Sequence, residues 1–377
     1  MLPVTLLTGV DEQFRGAVAG ELLAVAGTTV LVEYDVSGLV GGSVLRIART
    51  AAGVIDHEVI RMGHPCVSCA MRGSLVPLLV SIAAAEKYDA AIVSVPGAGD
   101  TQALAEEIAR DAKDELRVEA VLTVLDTATF ADDVTGEDLI HDRDIPTAAE
   151  DGRAIAEVLI RQVEYANAVI LSGPEAADEA ATEITRALAQ ALNPQSLVRP
   201  AAAARELFGV RLHDPDAAEA WVEPGSVSAP LQTDGRVRTL VWQSDRPFHP
   251  ERLYDALEEL VAKSARGKGT VWLATQPQAR LGWDSFGTNI ALGVLGRWLA
   301  DLPAERWSEV GQTHQARSAL EWHPEHGDRG SYLSITGIDL DIWELERLLD
   351  GCVLRAGESD SKLTDPFAPY LEGSTAA

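Results

Sequence analysis

The feature that most constrains this chain is a series of short, nearly continuous apolar runs in its first 200 residues. They are "PVTLLTG" (3–9), "TTVLVEYD" (28–35), "DAAIVSVPG" (89–97), "RVEAVLTVLD" (117–126) and "NAVILSG" (167–173). A strand that is apolar on both faces has to be covered on both faces. Between the runs lie stretches of helical pattern, 15–27 closed by Gly27 and 73–88. This alternation predicts an α/β fold, a parallel sheet flanked by helices, with ligands bound at the carboxyl ends of its strands.

The pattern changes after residue 193. "RPAAAAREL" and "EPGSVSAPLQTDG" read as a last helix followed by a linker. The predicted organisation is a first domain over 1–200, a linker over 201–236, a second domain over 237–356 and a flexible tail over 357–377. In the second domain, 237–244, 269–275 and 331–338 read as strands. Segments 249–264, 291–302 and 341–354 read as helices, the last closed by Gly351. A few alternating elements of this kind predict a small α+β domain.

Charge excludes some functions. The 58 acidic residues against 31 basic ones give a formal charge of −27. Such a surface repels phosphate backbones, so no direct DNA binding is expected. No basic leader and no window of about 20 apolar residues is found, which predicts no membrane span and a cytoplasmic location. Three cysteines in 377 residues do not make a disulfide framework.

Two segments carry chemistry. At the amino terminus, strand, glycine turn and helix stand where a phosphate loop, G-x-x-x-x-G-K-[ST], belongs. Gly9 begins it correctly. Phe14 then replaces the second glycine, Arg15 the lysine and Gly16 the hydroxyl residue. Phe14 is expected to obstruct backbone approach to a phosphate, and Gly16 offers Mg²⁺ no oxygen. Asp11 and Glu12 put negative charge beside the site, while Arg15 could still reach a phosphate. The second segment is "HPCVSCAMRGSL" (64–75). Cys66 and Cys69 are spaced to share one Zn²⁺, and His64 could add an imidazole. The alternatives are two small buried residues at a strand–helix junction, or a redox pair.

Other candidates have plainer readings. In "WHPEHGDR" (322–329), His323, His326, Asp328 and Arg329 could form a second metal site, but a polar loop before a strand accounts for them. His249 reads as a helix cap and Cys352 as buried. The tryptophans of the second domain read as core or contact surface. Asp126, at a strand end, is either part of a remnant nucleotide site or a turn cap.

Taken together, these segments resemble the CobW-like family of P-loop GTPases, associated with cobalt and zinc handling. "LPVTLLTG", "HPCVSCAMRGSLVPLL", "VLTVLDTATFADD", "QVEYANAVILS", "DRPFHPERLYDAL", "GTVWLAT" and "HPEHGDRGSYLSITGIDLD" match its blocks in order. The chain is most similar to an actinobacterial-looking branch associated with zinc limitation. The resemblance implies a P-loop NTPase-like first domain, a CobW carboxyl-terminal domain, and GTP with Mg²⁺ as ligands. It also implies a Cys-x-Cys-Cys metal motif, whose middle cysteine is Ser68 here. Two further family motifs depart as well. The acidic residue of Glu-x-x-Gly is Ser94, in Ser94-Val95-Pro96-Gly97, and Asn-Lys-x-Asp is Ser172-Gly173-Pro174-Glu175. With the phosphate loop, that makes three altered motifs around one nucleotide.

The expectation is a zinc-binding pseudo-GTPase acting as a metallochaperone-like adaptor for a client metalloprotein. Cys66, Cys69 and His64 would be its ligands, and Gly9, Arg15 and Asp126 would remain of the nucleotide site. One alternative is an active GTP-binding zinc metallochaperone with an atypical loop. The other is a docking factor for ribosomes or ribosome-associated proteins under zinc limitation.

Overall fold

The structure is a computed structural model. It describes the whole chain except residues 26, 144, 146–147, 149–150, 174–177, 224, 226–234, 359–362 and 372–377, and the side chains of Gln312, Thr313 and Glu321. It divides into two compact units, Met1–Ala218 and Glu219–Ala377.

The first unit runs β1 (Leu2–Thr8), α1 (Glu12–Leu23), β2 (Thr29–Asp35), β3 (Ser43–Thr50), β4 (Gly53–Arg61), α2 (Val67–Ala84) and β5 (Ala90–Ser94). It continues through α3 (Thr101–Asp111), β6 (Leu116–Asp126), α4 (Phe130–Thr135), α5 (Ile155–Tyr165), β7 (Ala168–Ser172), α6 (Glu179–Leu192) and β8 (Leu197–Pro200). The sheet order is β4-β3-β2-β5-β1-β6-β7-β8. All neighbours are parallel except the β2–β3 and β3–β4 pairs. All five apolar runs are strands, and the central ones are buried on both faces: Val4, Leu6, Leu7, Ile92, Val93, Val121 and Leu122 have no exposed surface.

The antiparallel β3–β4 extension went unread because its residues mix apolar and charged types. Buried Arg46, for example, pairs with Asp56 and Glu58, both at 2.9 Å. The expected last helix, 199–207, begins instead within the short edge strand β8, which ends at Pro200, where a missing N–H costs nothing on an edge. Residues 201–207 form a 3-10 turn whose Ala204 and Leu207 pack in this unit's core, so the expected linker begins inside it. Helix α1 ends at Leu23 rather than at Gly27.

Helix α2 starts at Val67, six residues earlier than its pattern predicts, which puts the cysteine pair on its first turn. Its 18 residues have a mean hydropathy of 1.6, long and apolar enough to cross a membrane by length and composition alone. Burial within the unit accounts for that apolarity, since Ala70, Met71, Leu75, Leu79 and Ile82 are all buried.

Helix α7 (Pro215–Val222) carries the boundary between units. The second unit then runs β9 (Val237–Ser244), α8 (Pro250–Val261), β10 (Ser264–Val271), β11 (Ala279–Phe286), β12 (Asn289–Arg297), α9 (Gln312–Glu321), β13 (Ser331–Ile338), α10 (Ile342–Cys352) and α11 (Ala368–Leu371). Its sheet is antiparallel throughout, in the order β12-β11-β10-β13-β9. One face buries Leu240, Trp242, Leu281, Trp283 and Leu333 together with Leu253, Leu260, Leu345 and Leu349 from α8 and α10.

The expectation of a helix over 291–302 is wrong: most of it is β12. A turn at Gly287 (φ 55°) folds β12 back onto β11, and Gly293 and Gly296 (φ 131°) weaken any helix there. Gly351 lies inside α10, which is capped at Val353. Within the expected tail Phe367 and Leu371 pack into the core, while 359–362 and 372–377 lie outside the described residues.

Candidate functional site

The altered phosphate loop sits at the carboxyl ends of β1, β5 and β6. Gly9 has φ 147°, and a Cβ there would lie 2.5 Å from the Val124 carbonyl oxygen. Only glycine fits this position. Asp11 then caps α1, its Oδ1 accepting from the Phe14 N–H at 2.7 Å. A helix amino terminus offers N–H groups to an anion; here the chain's own carboxylate takes one of them.

Arg15 does not point outward. It is 7% exposed, its Nε donates to Ser94 Oγ at 3.2 Å, and its Nη1 donates to the Gly9 carbonyl. Burial pushes the guanidinium below its usual pKa, opposed by the charges of Glu12, Asp11 and Glu33. Residues standing for the family's lysine and its acidic partner thus bond to one another. The side chain of Phe14, the residue expected to obstruct the loop, is half-buried. Its ring packs with the core group that includes Leu7, Val18 and Leu207.

The loop is closed by other residues. Val10 and Ile145 pack on Ala98, Ile140 and Val158. Gly97 lies so close to Val10 that a Cβ would be 3.1 Å from the Val10 carbonyl oxygen. The Gly97 and Ala98 carbonyls accept from Gln162 Nε2 at 3.0 Å and Arg153 Nη2 at 2.9 Å, which fix this segment.

Asp126 bonds the Ala128 N–H at 2.9 Å, as a turn cap would. It also lines a pocket of about 180 Å³ with Asp11, Asp133 and Arg143. Burial raises the Asp133 pKa, against the opposing pull of Arg143 at 2.7 Å. Carboxylates outnumber the single cation here, a poor lining for a polyphosphate. Of the guanine-reading segment, Ser172 and Gly173 are described, whereas Pro174 and Glu175 lie outside the described residues.

The cysteine segment is built differently. Cys66 is the N-cap of α2, its Sγ accepting from the Cys69 N–H at 3.3 Å. Cys66 is half-buried and Cys69 exposed; neither is in a disulfide. The Cys69 thiol is raised by its hydrogen bond with the Cys66 side chain, then by partial burial and the neighbouring thiol, with Arg72 opposing. Both thiols must lose protons to hold one metal ion, so binding would release protons and strengthen with pH. Ser68, at the missing cysteine's position, accepts from the Asp100 N–H at 3.4 Å and so faces α3. His64 is exposed. Among the described residues no three His, Cys, Asp or Glu side chains are gathered closely enough to hold a metal. The structure thus joins Cys66 to Cys69 but does not bring His64 into a three-ligand group.

Loop 322–329 is a structural element. Asp328 accepts from the Leu299 and Ala300 N–H groups at 2.8 and 2.9 Å and from His314 Nε2 at 2.9 Å. His323 and His326 stack on each other with ring centroids 4.7 Å apart. His249 caps α8, and Cys352 is buried, its thiol pushed up to about 11 mainly by burial. The His314–Asp328 and Arg15–Ser94 pairs went unread, because partners so far apart in sequence leave no local pattern. The Asp11 cap could have been read from an aspartate just before a helix.

Comparison with known protein families gives two matches. Residues 42–199 match the CobW/HypB/UreG nucleotide-binding domain, and residues 237–353 match the cobalamin synthesis protein CobW carboxyl-terminal domain. Together they cover well over half of the chain. The first match begins beyond the altered phosphate loop. A Mycobacterium tuberculosis protein named zinc chaperone is 26% identical, with 98% of this chain and 93% of that protein aligned. A Dictyostelium discoideum protein named zinc-regulated GTPase metalloprotein activator 1 is 24% identical over 83% of this chain and 70% of its own length. The crystal structure of Zn(II)-bound YjiA GTPase from E. coli aligns over 94% of this chain and 99% of that one, at 14% identity and a TM-score of 0.38.

Proposed function

The chain belongs to the CobW family, and from that premise we propose that it is a zinc-binding adaptor that keeps the GTPase scaffold without the GTPase reaction. The observation that carries this reading is Arg15, folded inward onto Gly9 and Ser94. Phosphoryl transfer needs a cation and Mg²⁺ on the transferred phosphate. Here the cation at the lysine position is engaged inside the protein, and Gly16 supplies no hydroxyl for Mg²⁺. The Asp11 carboxylate stands at the helix terminus where phosphate oxygens would bind. These residues do not fit GTP and Mg²⁺.

Zinc fits better. Two thiols sit side by side at the start of a helix, at a spacing that lets both bind one ion. Cys66 and Cys69 would hold the ion as cargo, with open positions for a group from a client protein. The names of the two relatives, a zinc chaperone and a zinc-regulated metalloprotein activator, point the same way. A metalloprotein client is therefore the proposed partner.

Zinc content and GTP affinity measured on one preparation test the reading. About one Zn²⁺ per chain is expected, lost in the Cys66→Ser/Cys69→Ser double variant, with no GTP binding by calorimetry in Mg²⁺. Micromolar GTP binding that Arg15→Ala abolishes would overturn the nucleotide half. A protein free of zinc after reconstitution would overturn the metal half.

A further inference from the structure

The second unit's sheet has a face turned away from its core. On that face stand Gln243, Tyr332, Thr270 and Arg280, one from each of four neighbouring strands. Helix α9 and the 322–330 segment cover it incompletely and leave a pocket of about 730 Å³. A cavity of that size suits a small-molecule ligand.

Arg280 is the unusual member. It is 9% exposed and lines the pocket, yet among the described residues its guanidinium has no hydrogen bond or ion pair. A buried charge without a counter-ion costs several kcal/mol. Burial pushes its pKa down to about 10; the charges of Glu223 and Asp328 oppose this and Arg317 adds to it. The strand geometry directs Arg280 to this face. β12 bulges opposite it, so that Arg280 pairs with Gly296 but Leu281 with Val294.

The remaining lining is also rich in donors. Arg317 lies over the Tyr332 ring, 3.8 Å from its centroid. The Trp298 indole N–H is buried with no acceptor among the described residues. The pocket's one deeply buried carboxylate, Asp328, already accepts from Leu299, Ala300, His314 and Ser318. Asp350 accepts from Trp242, and Asp245 is at the exposed rim. In a chain of formal charge −27, a buried guanidinium that lines a pocket beside Arg317 has the chemistry to draw in an anion.

We propose that this pocket binds an oxyanion-bearing small molecule, with Arg280 as the anchoring cation. A phosphate and a carboxylate share this chemistry, and the two arms of the test distinguish them. All eight tryptophans lie at residue 221 or beyond, so tryptophan fluorescence reads this unit alone. The full chain in chloride buffer is titrated with inorganic phosphate or with malonate at constant ionic strength, following fluorescence and melting temperature.

One anion is expected to bind at millimolar concentration or better and to raise the melting temperature, identifying the ligand group. Arg280→Met should weaken that binding at least tenfold and Arg280→Lys by less. In anion-free buffer Arg280→Met should melt no lower than the parent, because it removes a buried charge that has no hydrogen bond or ion pair among the described residues. A structural arginine would instead lower the melt. Failure of the parent protein to bind either anion at tens of millimolar overturns the proposal. So does Arg280→Met binding as well as the parent, or melting well below it.

Discussion

Cys66 holds two positions at once, and they can be separated. Its Sγ caps α2 through the Cys69 N–H at 3.3 Å, and it is the inner half of the proposed zinc pair. Sulfur is a weak acceptor, whereas a serine hydroxyl is among the best helix caps. Cys66→Ser should therefore keep or improve the cap, while Cys66→Ala loses it. Loss of a cap typically costs about 1 kcal/mol. In a unit the size of Met1–Ala218 that lowers the melting temperature by about 2–4 °C. Both substitutions remove one of two thiolate ligands. Outer-shell changes alone cost 10–100-fold in metal affinity, so a ligand's loss should cost about 100-fold or more. The assay pairs competition against a chromophoric zinc chelator with hydrogen exchange over 66–84. Added zinc at about 100 times its Kd should strengthen α2 protection by about 2.7 kcal/mol in the parent, and in neither variant. The decisive protein is Cys66→Ser, with its helix intact and its zinc gone. If it binds zinc like the parent, Cys66 is only a cap. If zinc affinity falls only where α2 protection falls, the metal effect is a folding effect.

Two further substitutions probe the scaffold. Gly9→Ala places a Cβ 2.5 Å from the Val124 carbonyl oxygen at φ 147°, so it should destabilise the first unit by about 1–3 kcal/mol or more, measured by far-UV circular dichroism with tryptophan fluorescence of the second unit unchanged. At Asp328, burial raises the pKa, but His314 and the Ala300 and Leu299 N–H groups lower it further, so the net shift is downward. A depressed carboxylate stabilises above its unfolded pKa of about 3.9 and loses that stability as pH falls through the lower folded value. The second unit should accordingly weaken in acid below about pH 4 by tryptophan fluorescence. Asp328→Ala should cost about 3–5 kcal/mol at pH 7, leaving buried donors unpaired, and should flatten that acid dependence.

What the sequence disclosed depended on how local each cause is. Strands buried on both faces announce themselves in consecutive residues, so β1, β2, β5, β6 and β7 were legible. β3 and β4 were not, because Arg46 is buried by virtue of Asp56 and Glu58 across the hairpin, a pairing no single segment contains. β12 was mistaken for a helix because Ala291, Leu292, Val294 and Leu295 suit either period. The choice is made by the Gly287 turn and by β11 alongside. The cysteine pair could be read because its members are three residues apart. The inward turn of Arg15 could not, since its partner at Ser94 is 79 residues away.

That long-range pairing bears on how the three altered nucleotide motifs relate. Taken as separate losses, each could be compensated by neighbouring residues. In the folded protein the first two, at 9–16 and 94–97, are not separate. The residue at the lysine position donates to the residue at the acidic position and to the loop's own first glycine. The segment after Ser94 packs against Val10, so the acidic motif's glycine helps close the loop that the altered lysine motif leaves. Asp11 meanwhile satisfies the helix N–H that a phosphate oxygen would take. Restoring a lysine at 15 would leave the cap and the Gly97 contact in place, and restoring a hydroxyl at 16 would leave the guanidinium bonded inside. Arg15, Ser94, Gly97 and Asp11 thus form one packed and internally hydrogen-bonded arrangement around the altered loop. The cysteine pair on α2 lies outside that network; Ser68 Oγ accepts from the Asp100 N–H at 3.4 Å, and Arg72 faces Glu107 of α3 at 3.9 Å. The proposed zinc pair therefore stands outside the hydrogen bonds of Arg15 and Asp11.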